Sequence, residues 1–384
     1  MENNYISRSI VALVILLSPV ISFAQFVEYS NEFLNIGAGA RGLAMGSSQV
    51  ASVKDGTAGY WNPAGLVGVK TQISVDAMHA DYFSGIGKYE YADIAVPIQD
   101  NKRTLGLSFI RFAVDDIPNT LFLVQPDGSI NYNDIQSFSS ADYALLFSFA
   151  QNVIESKDLN LSFGINAKVI YRQVGSFATA YGFGIDAGVQ AHGERWHFGG
   201  VAKDLTSTFN AWTFHFTDAQ KQILYLTDND IPVRSTEVTA PSLVIGGAYD
   251  ISINKSIKVS PEVSFTTTFD GKRNTIIAGN TISLDPHIGV EISLKDAFFI
   301  RGGVTNFQQG LADGDTLNQK RVWIYQPSLG AGFKIKSISV DYAFTNLANQ
   351  SSPLYTNVFS LRIGLSKEVA KLSEEEKSHN IPTP

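Results

Sequence analysis

Along residues 159–172, apolar and polar side chains alternate with a period of two. Leu159, Leu161, Phe163, Ile165, Ala167, Val169 and Tyr171 share one face. Asn160, Ser162, Gly164, Asn166, Lys168 and Arg172 share the other, where only Ile170 interrupts the polar side. This is β-strand spacing, in which successive side chains point to opposite faces. It recurs where Ile257, Val259, Pro261, Val263 and Phe265 alternate with Ser256, Lys258, Ser260, Glu262 and Ser264, again through 282–294, and again where Val340, Tyr342 and Phe344 alternate with Ser339, Asp341 and Ala343. Read this way throughout, the chain predicts strands near 71–81, 88–97, 103–113, 137–150, 158–173, 180–192, 195–204, 239–250, 256–269, 282–294, 298–307, 323–335, 337–346 and 357–366. The second is the poorest, with Asp93 between Tyr91 and Ala95.

Most of these segments reach ten residues or so, whereas strands of soluble sheets have about five or six. A tilted strand crossing a bilayer needs about nine to eleven. The links also alternate in length. Those at 114–136, 205–238 and 308–322 are long, and those at 98–102, 193–194 and 295–297 are brief. Outer-membrane barrels show this alternation, with brief periplasmic turns and long external loops. The expected fold class is therefore all-β, a transmembrane antiparallel β-barrel of about fourteen strands over residues 71–366 with both termini periplasmic. Phe163, Val263 and Tyr342 are expected to face lipid, and Lys168, Glu262 and Asp341 to face the lumen.

The chain's start reads as an export signal over residues 1–24. Arg8 precedes the apolar run Ile10 to Leu17, Pro19 breaks it, and Ser22-Phe23-Ala24 offers small residues for cleavage before Gln25. Residues 367–384 read as a polar periplasmic tail. Cysteine is absent, which excludes a disulfide framework, a thiol nucleophile and a lipid-anchored cysteine. A net charge of -7 argues against a nucleic-acid surface, which needs clustered Lys and Arg. Thirty-two Gly, 25 Phe and 15 Tyr suit many strands with aromatic girdles.

Residues 25–70 precede the first strand and are too rich in Gly and Ala for a lipid-facing strand; such residues permit close backbone approach. The run Gly39-Ala40-Arg41-Gly42-Leu43-Ala44-Met45-Gly46 and the run from Asp55 through Tyr60-Trp61-Asn62-Pro63-Ala64 to Leu66 resemble elements of the PorV/PorQ family, which is related to the FadL-like long-chain fatty-acid transporters. In FadL-like proteins an Asn-Pro-Ala element belongs to the N-terminal hatch. The resemblance therefore implies a hatch within the lumen over residues 25–70, marked by Gly39, Arg41, Gly42, Gly46, Tyr60, Trp61, Asn62, Pro63 and Ala64. From the residues alone, Asn62-Pro63 reads as a turn with an Asx-type hydrogen bond. A glycine-rich stretch can also cradle phosphate, but no preceding strand, following long helix or later acidic partner completes a dinucleotide fingerprint.

The inward faces carry Asp142, Lys168, Arg172, Asp186, Lys258, Glu262, Asp285, Glu291, Arg301, Asp341 and Arg362. Both signs are present, and the expectation is pairing with one another and with the hatch, because an unpaired buried charge is costly. The six histidines include no H-x-x-x-H pair, and Asp228-Asn229-Asp230 and Asp313-Gly314-Asp315 do not continue into a calcium loop. No enzyme, metal or cofactor is expected. The family resemblance implies a protein-interacting component of type IX secretion, either a translocon partner or a cargo shuttle. Leu121, Phe122, Phe209, Trp212, Phe214, Phe216 and Tyr225, all placed in external links, would then form a docking surface. The alternative is FadL-like passive uptake of a hydrophobic small molecule, with the same side chains lining a groove for it. Expected partners are outer-membrane lipid together with a type IX secretion protein or a hydrophobic ligand, and no nucleic acid.

Overall fold

The computed structural model describes residues 30–82, 85–99, 102–125, 127–232, 234–311, 321–346 and 355–366. The expected export signal and the polar tail lie outside these residues. One antiparallel sheet closes on itself into a barrel of fourteen strands. They are β1 (Ile73–Tyr82), β2 (Gly87–Ile98), β3 (Arg103–Asn119), β4 (Gln136–Glu155), β5 (Asn160–Val174), β6 (Ala178–His192), β7 (Trp196–Lys203 and Thr208–Phe214), β8 (Arg234–Thr239 and Ser242–Tyr249), β9 (Ile257–Thr268), β10 (Ser283–Leu294), β11 (Phe298–Leu311), β12 (Arg321–Ile335), β13 (Ile338–Asn346) and β14 (Tyr355–Leu365). Each pairs with its sequence neighbours, and β1 closes the ring by pairing with β14, Ser74 standing opposite both Ala95 and Gly364. Closure satisfies every strand's backbone and leaves no edge, which a sheet in lipid requires.

β7 and β8 are each interrupted. Both pieces of β7 pair with β6, and both pieces of β8 pair with β7. This corrects the expected link at 205–238, whose two end portions, Thr208–Phe214 and the stretch from Arg234, are barrel wall. Phe209, Trp212 and Phe214 belong to β7 rather than to an external loop. What remains, 215–233, carries the helix α3 (Asp218–Leu226), numbered after α1 (Ala40–Ala44) and α2 (Ala58–Trp61) of the N-terminal segment. Thr217 caps α3, accepting from the Gln220 amide while the Gln220 side chain accepts from the Thr217 amide.

The two faces of the wall follow the alternation. Phe163, Val263 and Val169 are exposed outward, whereas Lys168, Glu262 and Asp341 are buried inward. An apolar belt of Leu, Ile, Val and Phe continues round the outer face. Aromatic clusters border it at both levels. Tyr143, Tyr171 and Tyr181 stack toward the long links, and Trp196, Phe198 and Tyr249 cluster near the brief turns. A belt of this kind between aromatic girdles matches the lipid-facing surface of a membrane barrel.

The inner face is less polar than alternation suggests. Tyr89, Tyr91, Ile110 and Ile170 point inward and are almost wholly buried in one cluster with Leu43, Tyr60, Trp61 and Leu66. Ile170, the residue that interrupts the polar face, is therefore in register. Asp93 likewise lies on the inner face of β2, so it does not break the outer one.

Candidate functional site

Residues 30–70 lie inside the barrel and cross it. Ser30 and Asn31 are tied to β7 and β8: Asn210 donates to both, Ser30 donates to Glu237, and Asn31 donates to Thr239, all within 2.8–2.9 Å. The chain then crosses to β11–β14, against which α1 packs, and returns so that the turn Pro63–Gly68 rests on β3–β6. Every residue from Ala58 to Val67 is buried.

Much of this seating is made where wall glycines let the segment come close to the strand backbone. A Cβ on Gly188 of the wall would stand 2.1 Å from Asn62 Oδ1, and one on Gly164 would stand 2.4 Å from the Ala64 nitrogen. On the opposite side, Gly289 and Gly303 meet Met45 and Gly46 in the same way. Gly46, at φ +60, makes a left-handed turn that favours glycine. Gly42 leaves room for the Trp61 ring, which would lie 2.7 Å from its Cβ. Glycine in a strand interior, as at Gly164, Gly188, Gly289 and Gly303, is the sequence signal for such an approach.

Asn62 is the most heavily tied residue of the segment. Its Nδ2 donates to the Val50 carbonyl at 2.9 Å and to the Val189 carbonyl of β6 at 3.0 Å, while its Oδ1 accepts from the Ala64 amide at 3.2 Å. The last bond is the expected Asx turn; the other two fasten the segment to itself and to the wall. Asn166 donates to the Gly59 carbonyl at 2.7 Å, and Glu262 accepts from the Ala51 amide at 2.9 Å. Trp61 Nε1 donates to the Ala38 carbonyl at 2.8 Å, and Tyr60 Oη to that of Leu34 at 2.6 Å.

Most of the inward charges pair as expected, although Glu262 and Asp285 form no ion pair among the described residues. Arg41 joins Glu291 at 2.9 Å and Gln49 at 2.7 Å; Arg301 joins the same Glu291 at 2.6 Å and Asp341 at 2.5 Å. Lys168 meets Asp186 at 2.8 Å and also Asp204, and Arg172 meets Asp142 at 2.8 Å and Glu237 at 3.1 Å. Arg362 bridges Asp76 of the wall and Asp55 of the segment, at 2.6 and 2.7 Å. Burial opposes ionisation of Asp55, yet the Arg362 and Arg41 guanidiniums hold its carboxyl below the ordinary range. The segment is thus bound to the wall by ion pairs on one side and by amide hydrogen bonds on the other.

The segment fills the half of the lumen toward the brief turns. Toward the long links it leaves a cavity of about 880 Å³. Phe33, Ile36, Leu43, Tyr60 and Trp61 supply its apolar floor, and Tyr82 and Phe112 join them from the wall. Tyr60 and Trp61 meet edge to face at 4.8 Å, with the Lys203 ammonium 4.8 Å from the Tyr60 ring centre. Asp142, Arg172, Asp204 and His287 line the higher wall. Of the residues expected at this site, Tyr60 and Trp61 line the cavity, while Asn62, Pro63 and Ala64 hold the floor in place from beneath.

The expected docking surface is dispersed. Trp212 is buried facing inward with the Arg172 guanidinium 5.1 Å over its ring, while Phe209 faces outward from the wall. Phe214 and Phe216 stack at 6.2 Å at the barrel rim, and Leu121 and Phe122 are half-buried. Tyr225 is exposed on α3. These side chains do not share one surface, because a period-two strand sends Phe209 and Trp212 to opposite faces.

No family model and no curated protein matches the chain. Among solved structures, the Ralstonia pickettii toluene transporter TbuX is similar at a TM-score of 0.51 and 12% identity, over 86% of this chain and 98% of that one. The CymD monoaromatic hydrocarbon channel is similar at 0.50 and 12%, over 86% and 98%. A Pseudomonas aeruginosa FadL homologue matches at 0.47 and 14%, over 85% and 97%. At these identities the first two likenesses are of fold.

Proposed function

We propose that this chain is an outer-membrane channel for passive uptake of a hydrophobic small molecule, without enzymatic activity, and that residues 30–70 are its hatch. The observation that carries the reading is the cavity of about 880 Å³, floored by apolar and aromatic side chains of the same segment that fills the rest of the lumen. A solute that buries roughly 150 Å² of apolar surface there gains about 4 kcal/mol before the entropic cost of association, which leaves net binding weak. Binding of that strength collects a solute and still lets it leave, as conduction requires. The outer apolar belt between aromatic girdles supports the location. The fold shared with a toluene transporter and a monoaromatic hydrocarbon channel supports the substrate class.

The secretion reading retains less support. Its resemblance rests on two short motifs, and among the described residues of the link after β7, Tyr225 and Leu226 of α3 are the large apolar side chains that stand exposed. One experiment separates the two functions. Uptake of labelled toluene and of a labelled long-chain fatty acid is measured in a deletion strain, with and without the restored gene, alongside the secreted proteome. The channel reading expects uptake to fall on deletion and recover on restoration, with Trp61→Ala restoring it only in part. Unchanged uptake of both solutes with a changed secreted proteome would overturn it in favour of secretion.

A further inference from the structure

A second polar assembly lies at the brief-turn end, away from the cavity. His192 ends β6 and His197 lies near the start of β7; the two are cross-strand partners, and their Nδ1 atoms stand 2.9 Å apart. The other nitrogen of each ring is already engaged. His192 Nε2 lies 3.0 Å from Gln190 Oε1, and that amide has a fixed orientation because its Nε2 donates to the carbonyls of Val50 at 3.0 Å and Val53 at 3.3 Å. Turned over, it would set its oxygen against two carbonyl oxygens. Oε1 therefore faces His192 and accepts from an Nε2–H. His197 Nε2 lies 3.1 Å from Asp250 Oδ2, and the same carboxylate also receives Ser260 Oγ at 2.7 Å and Lys258 Nζ at 3.4 Å. A carboxyl facing three donors acts as an ionised acceptor, so His197 too carries a proton on Nε2.

Two neutral rings in this arrangement would turn bare Nδ1 lone pairs on each other at hydrogen-bond distance. One additional proton converts that repulsion into an N–H···N bond, and its charge is balanced by Asp250. We infer that His192 and His197 hold one extra proton between their Nδ1 atoms, and that this proton-bound pair is a latch which, through Gln190, fastens the N-terminal segment to the wall. Removing the proton restores the lone-pair contact. Adding a second sets two N–H groups head-on, and a His192 ring that turns away takes its hydrogen bond from Gln190. The charged groups facing the pair are Asp250 and Lys258, Lys54 on the segment and Glu262 on β9. Asp250 and Glu262 favour the first positive charge, and Lys54 and Lys258 oppose a second. The latch does not depend on which solute passes.

Full-length protein refolded in detergent with ¹⁵N-labelled histidine tests the proton directly. The expected result is one downfield N–H signal coupled to both Nδ1 atoms, as the 2.9 Å separation requires of a shared proton. Two Nδ1 signals that show no coupling through a common proton at any pH where the barrel stays closed would overturn the inference. The latch has a separate readout. The chain contains no cysteine, and Val53 is fully buried, so Val53→Cys reports release of the segment through maleimide labelling. Labelling is expected to stay slow while the shared proton persists and to rise about tenfold once a second enters. Adding His197→Gln should abolish that pH step while heat-modifiable mobility shows the barrel still closed. A step that survives His197→Gln refutes the latch, and if that variant does not fold, the ¹⁵N result decides. None of these readouts involves uptake, so a failure here is distinct from a failure of the channel reading.

Discussion

Asn62 is the single side chain on which the seating of the segment can be tested with a worked magnitude. It is wholly buried, and its side chain makes three hydrogen bonds within 3.2 Å, two as donor to the Val50 and Val189 carbonyls and one as acceptor from the Ala64 amide, beside a longer one to the Gly200 carbonyl at 3.5 Å. Each has a net worth of about 0.5–1.5 kcal/mol, so Asn62→Ala is expected to cost the seated state about 2–4 kcal/mol. That corresponds to roughly a 30- to 700-fold shift in the ratio of seated to released segment. Asn62→Asp has the same shape and should do more harm. It sets a carboxylate oxygen against two carbonyl oxygens at about 3 Å, where the group must either remain an uncompensated buried charge or take up a proton. The assay is conductance of purified protein in planar bilayers, with heat-modifiable mobility confirming a closed barrel. Channel opening should increase from wild type to Asn62→Ala to Asn62→Asp. An Asp variant indistinguishable from wild type would refute the reasoning, since the donor role toward Val50 and Val189 would then carry no weight.

Val263→Arg, on the outer face of β9, should impair assembly by about 2–4 kcal/mol if it lies near the midplane, read as loss of the heat-modifiable band on refolding. Ser264→Arg should fail differently: Ser264 is fully buried 3.3 Å from Ser48, so arginine there should leave the barrel assembled and displace the segment, raising Val53→Cys labelling. Arg301→Met leaves Glu291 and Asp341 short of a shared partner and should cost about 3–5 kcal/mol, measured as a lower urea midpoint, with Asp341→Asn in addition recovering part of the loss. Deleting residues 218–226 should leave both the barrel and hydrocarbon uptake intact, because α3 lies outside the wall. Loss of secreted proteins in that strain would argue for the docking role.

The wall was legible because lipid and lumen act on alternate residues, so a strand such as β5 displays its register in its own sequence. The ion pairs of Lys168, Arg172 and Arg301 were also within reach, since inward charges of both signs have little choice but to pair. The interruptions of β7 and β8 were not legible. Thr208–Phe214 and Arg234–Thr239 are short, each is separated from its continuation by a break, and only pairing with β6 and with each other makes them wall. For the same reason Phe209 and Trp212 looked like a shared apolar surface when read along the chain, and the barrel sends them to opposite sides.

By itself, the sequence determined the closed barrel and, in its uninterrupted strands, the side of the wall a residue occupies, because both follow from a period of two and from the bilayer's demand that no backbone group go unpaired. The motifs at 39–46 and 55–66 marked the segment that enters the lumen. Tertiary structure alone decided where that segment rests and what it leaves open. Its seat depends on Gly164 meeting the Pro63-Ala64 backbone and on Gly188 meeting the Asn62 side chain, each a hundred or more residues earlier in the chain, and its floor depends on Phe33, Tyr60 and Trp61 converging with Phe112. Contacts of that range leave no periodic trace, since each residue's role is set by a partner that only the closed barrel brings within reach.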